Sequence, residues 1–166
     1  MNCIVTISAL AALGAVSVPG AAFAQTASDL VGTWMLVSNI NIRPDGSRID
    51  LLGPRGTGIT IFDAHGRYAT MFINRDVPKF ASNNRVQGTA AENKAAVEGG
   101  LAHFGTYTYD PATKTINYKI EASTYPNWTG TEQTRTIVTF TGDDLKFTAP
   151  AGSTGGTGEV GFKRVK

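Results

Sequence analysis

The chain has 166 residues, a formal net charge of +2, two histidines and a single cysteine at position 3. Its basic residues are spread rather than clustered, which speaks against nucleic acid as a partner. So few imidazole and thiol groups speak against a zinc centre, and the length suits one domain with a self-sufficient core.

Cys3 to Val18 is an apolar run without a charge, broken by Pro19-Gly20 and followed by Ala22-Phe23-Ala24. Small-x-small after such a run is the pattern that signal peptidase reads. The run is also shorter than the roughly 20 apolar residues a spanning helix needs. Residues 1–24 are therefore expected to be a cleaved signal peptide. Residues 25–166 would be an exported domain, periplasmic or secreted, with no membrane span and no disulfide once Cys3 has left.

Thr, Gly, Ile, Val, Phe and Tyr dominate the remainder, and turn signals recur along it. Strand candidates fall at 31–42, 57–63, 67–74, 104–110, 115–123, 131–140, 144–149 and 158–165. Arg43-Pro44-Asp45-Gly46, Asp63-Ala64-His65-Gly66 and Asp110-Pro111-Ala112-Thr113 between them read as hairpin connections. Such a series predicts an all-β fold, an eight-stranded antiparallel up-and-down barrel with no open edge. One segment departs from it. Thr89-Ala90-Ala91-Glu92 is a capping box, and the run from there to Glu98 predicts a short helix between the third and fourth strands. Gly99-Gly100 would end it. Its expected place is over one end of the barrel, as a plug or lid.

Alternation assigns faces. Trp34, Leu36, Ile40 and Ile42 share one face of the first strand, opposite Thr33, Asn39 and Asn41. Ile116, Tyr118 and Ile120 oppose Asn117, Lys119 and Glu121. Along 131–140 both faces mix polar and apolar residues, as at the wet mouth of a cavity.

Leu30-Val31-Gly32-Thr33-Trp34, Pro78-x-Phe80-Ala81-Ser82, Phe104-Gly105-Thr106-Tyr107 and the long block Glu121-x-Ser123-x-x-Pro126-Asn127-Trp128-x-Gly130-Thr131-x-Gln133-x-Arg135 resemble the bacterial and fungal lipocalin-like domain family. In order and spacing these stretches span nearly all of residues 30–166. The resemblance implies a lipocalin-type barrel and little specific chemistry, although some members sit among natural-product biosynthetic genes. By likeness to true lipocalins, Arg164 on the last strand would pack on Trp34 and close the barrel base.

The candidate ligand contacts are Trp34, Phe80, Phe104, Tyr107, Tyr118, Glu121, Asn127, Trp128, Gln133 and Arg135. Arg135, Glu121 and His103 are the candidates for any catalysis. Two readings of Glu121 and Arg135 compete if both point inward: a buried ion pair that fixes strand register, or an arginine that orients an oxygen of a ligand. His65, in a turn, is expected in solvent. No nucleophile elbow, phosphate loop, metal set or cofactor motif is present. The leading expectation is an exported protein that binds or carries a small hydrophobic molecule, rather than an enzyme. The alternatives are a non-metal isomerase or cyclase acting on a polyketide- or isoprenoid-like substrate, and a side-chain-filled barrel that serves in protein interaction.

Overall fold

Alternating β-branched and aromatic residues become strands in the computed structural model, which describes residues 25–150 and 152–166. The expected signal segment lies outside the described residues. The strands are β1 (Gly32–Ile42), β2 (Arg48–Asp50), β3 (Gly56–Phe62), β4 (Arg67–Asn74), β5 (Gly100–Asp110), β6 (Thr115–Ser123), β7 (Glu132–Phe140), β8 (Asp144–Ala149) and β9 (Thr157–Arg164). Each pairs antiparallel with the next from β3 onward, and β9 returns to pair with β1. Eight strands thus close a barrel. β2 is an addition: it continues the line of β3 beside the far end of β1, at Ile40–Ile42.

Among the described residues two α-helices accompany the barrel, α1 (Ala27–Leu30) and α2 (Ala90–Glu98). The capping box at α2 forms as its spacing predicts, with Thr89 Oγ1 accepting from Glu92 N at 3.2 Å and Glu92 Oε2 accepting from Thr89 N at 2.7 Å. None of its residues is buried. It flanks the mouth rather than plugging it, because it has no apolar face to insert. β5 begins directly after it at Gly100, earlier than the expected residue 104, so His103 lies within a strand and not at a junction.

The base of the barrel is packed solid. Trp34, Phe62, Ile116, Leu145 and Phe162 are sealed there, with Leu30 from α1 beneath them. Arg164 stacks on Trp34 with its guanidinium carbon 4.1 Å from the ring centroid.

Three β-bulges interrupt the ladders, and alternation alone does not reveal them. In β1 the register shifts between Leu36 and Ser38. An extra residue exchanges the two faces beyond it. Asn39 and Asn41 are therefore buried inside, while Ile40 and Ile42 are only half-buried, the reverse of the expected assignment. A second shift, at Phe104/Gly105 opposite Ile120 and Ala122, falls at Glu121, which alternation from the buried Ile120 already turns to the outer face. Phe104 is also outside, 46% exposed, on an apolar patch with Ile61 and Met71. The third shift lies between Ile137 and Thr139, and up to it the odd residues Gln133, Arg135 and Ile137 of β7 turn inward.

Candidate ligand-binding site

The mouth half of the barrel holds a polar cluster among apolar walls. β4 contributes Tyr68, Thr70 and Phe72, β5 Leu101 and His103, β6 Tyr118, and β7 Gln133 and Arg135. Trp128 reaches in from a 3-10 turn at Pro126–Trp128. A cavity of about 60 Å³ lies against Phe72, His103, Tyr118, Trp128 and Arg135, lined also by Asn39, Phe147 and Val160. Above it a vestibule of about 310 Å³ opens between Leu52, Val97, Tyr125, Pro126 and Thr154. Asn39, Leu51, Phe72, Leu101 and Ser153 line both spaces, so the two form one cleft that narrows inward.

Arg135 is the centre of the cluster at 5% exposure. It donates from Nη2 to Gln133 Oε1 and from Nη1 to the Thr134 carbonyl at 3.3 Å. Its guanidinium carbon sits 5.6 Å from the Tyr118 ring centroid and 5.7 Å from that of Trp128. Cation–π contact of this kind offsets part of the cost of burying the charge.

Glu121 is not its partner. The alternation that turns Ile120 inward turns Glu121 outward, where Arg67 grips both carboxylate oxygens at 3.1 and 2.8 Å. Of the two readings open for Glu121 and Arg135, the buried ion pair is thus excluded: Glu121 forms an exposed pair with Arg67, and Arg135 has no carboxylate partner among the described residues.

His103 is buried with its Nδ1 2.9 Å from the Tyr68 hydroxyl. Burial, helped by the Arg135 cation, pushes its pKa down to about 3. Burial likewise pushes the Tyr68 and Tyr118 phenols well above their ordinary range, while it draws Arg135 below its usual value. At neutral pH Arg135 therefore carries the only charge in this cluster.

A pH dependence follows. The unfolded chain protonates His103 below about 6.5, whereas the folded chain resists until about 3. The stability that belongs to the neutral ring is whole above pH 6.5 and is lost as the pH falls from there toward 3, at up to about 1.4 kcal/mol per pH unit. Between pH 6.5 and about 5.5, above the range in which ordinary carboxylates titrate, His103 makes the main contribution to the slope. Urea denaturation across that window should show a slope that His103→Asn flattens. Equal slopes in the two proteins would mean that the ring is not held neutral.

Of the residues singled out from sequence, Tyr118, Trp128, Gln133, Arg135 and His103 converge on this cluster. Trp34 and Tyr107 belong to the packed base, where the Tyr107 hydroxyl donates to the Asp63 carbonyl. Phe80 lies against Gly88 in the loop before α2. Asn127 is exposed, and Phe104 and Glu121 face out. Sequence reasoning missed Asn39 and Asn41, hidden by the bulge in β1, and Leu101, which lay before the expected start of its strand; it did not single out Tyr68, Phe72 or Phe147, which strand periodicity does orient inward.

A family model described as a lipocalin-like domain matches residues 31–159. The chain belongs to the lipocalin-like domain family. A redesigned β-barrel of known structure is similar over 87% of this chain and 97% of its own, at 16% identity and a TM-score of 0.44. No curated protein matches significantly. In this lipocalin-like domain no group of three or more His, Cys, Asp or Glu residues is placed to hold a metal ion among the described residues. Nor is any described helix long and apolar enough to cross a membrane.

Proposed function

We propose that this lipocalin-like barrel binds and carries a small, largely apolar molecule, and that it does so after export. The observation that carries the reading is the cleft, wide and apolar at the vestibule and narrowing to Arg135 and His103. Apolar walls with a few converging polar groups are the usual make-up of a ligand site. Export rests on the signal-like segment of residues 1–24.

The pKa values favour a carrier over an isomerase or cyclase. A useful general acid or base has a pKa near the working pH. His103 lies far below it and Tyr68 far above.

Titration with the neutral fluorophore N-phenyl-1-naphthylamine tests the reading. Stoichiometric binding with a blue-shifted emission is expected, and Leu101→Trp, which places an indole where both spaces meet, should abolish it. A folded native protein that gives no enhancement would mean that side chains fill the barrel, and carriage would be abandoned.

A further inference from the structure

Charge inside the barrel is unbalanced. Arg135 is the one ionised side chain among those lining the inner cavity, His103 being neutral there. None of the ion pairs among the described residues involves it. One of its N–H groups goes to Gln133 and one to the Thr134 carbonyl, and the others have no partner among the described residues. A cation held in that way is costly, since burying a charge without a counter-charge costs several kcal/mol. The rim does not correct it: Glu98, the one charged residue of the vestibule wall, is exposed and paired with Lys94.

We propose that the ligand itself supplies the missing charge: the barrel takes an apolar molecule bearing a single carboxylate, with that group on Arg135 and the apolar body in the vestibule. This rests on the reading of the barrel as a ligand binder. One interior cation matches a monoanion rather than a phosphate dianion. The planar guanidinium fork matches a carboxylate, to which it can donate paired N–H groups. In the tautomer where Tyr68 donates to Nδ1, His103 carries its proton on Nε2 and offers a further donor. Size divides the molecule in the same way. About 60 Å³ beside Arg135 admits a headgroup, and about 310 Å³ above it, walled by Leu52, Phe72, Leu101 and Pro126, admits the body.

Three probes of equal chain length separate the charge from the apolar body: octanoate, 1-octanol and octylamine, titrated calorimetrically at neutral pH. The native protein should bind octanoate about tenfold or more tightly than octanol, as charge-assisted hydrogen bonds do, and octylammonium most weakly. Arg135→Gln should bring octanoate down toward the octanol level and change octanol binding far less. Octanol equal to octanoate in the native protein would overturn the carboxylate assignment while the binder reading stood. So would an octanoate preference that survives Arg135→Gln. Should that variant fail to fold, the native comparison alone decides. If none of the three binds, the carboxylate assignment falls, and the naphthylamine titration separately decides whether the barrel binds anything.

Discussion

Trp34→Ala should lower the stability of the barrel by about 3–5 kcal/mol, the usual cost of emptying a buried indole site. The thermal midpoint, followed by far-ultraviolet circular dichroism, should fall by roughly 10–15 °C for a domain of this size. The argument is one of convergence. Trp34 is fully buried and its Nε1 donates to the Leu30 carbonyl at 2.9 Å, which ties α1 to the base. Arg164 covers the ring and donates to the carbonyls of Gly142, at 2.6 Å, Val31, at 2.8 Å, and Asp29. It has room to do so because residue 32 is glycine. A Cβ there would stand 2.9 Å from Arg164 Nη1, and φ at that position is +134°. Removing the indole therefore leaves a cavity under a cation and loosens the seam between the first and last strands. A drop of only a few degrees would mean that the base repacks without it.

Gly105→Ala should be nearly as damaging, for a reason confined to the backbone. An added Cβ would lie 2.0 Å from the Lys119 carbonyl oxygen and 2.9 Å from the Glu121 nitrogen. Both obstacles are main chain, at the bulge where β5 meets β6, so no rotamer change relieves the clash. Overpacking of that kind costs about 3 kcal/mol or more. Gly142→Ala is the matched control, since a Cβ there meets nothing within 4 Å. The urea midpoint should drop sharply for the first variant and barely move for the second. Equal midpoints would show that the two strands part at Gly105 at little cost.

Strand periodicity carries most of the fold in plain view. The expected spans of β4, β6 and β8 agree with the structure to the residue, because tight Asp- and Gly-bearing turns bound two of them and hydrophobic alternation runs through all three. β5 is longer than expected, since Gly99-Gly100 reads as a helix stop while the second glycine already pairs in the sheet, opposite Ile73. β2 and α1, three and four residues long, are too short to leave a periodic signal.

The site was less legible. Arg135 and Gln133 could be placed together as alternate residues of one strand, yet choosing between the two faces of β7 needs the neighbouring strands. Alternation turns Asn39 and Asn41 outward because a bulge carries no residue-type signature at Leu36/Ser38. Glu121 shows the converse. Its own strand periodicity already pointed outward, and the attraction of a nearby arginine in sequence was the weaker guide.

The pairing of β1 with β9 has a meaning in time as well as in space. Arg164 bonds a carbonyl 133 residues earlier in the chain, and β9 follows every other strand. As the polypeptide emerges, β1 can pair with β2 and β3 at once, while its other edge waits for the whole ring to arrive. Until then the growing sheet is a ribbon with two sticky borders, the state in which strands recruit foreign partners. Contacts so distant in sequence are also slow to form. β9 thus works as a clasp: a chain cut short before it would keep most of its hairpins and still aggregate.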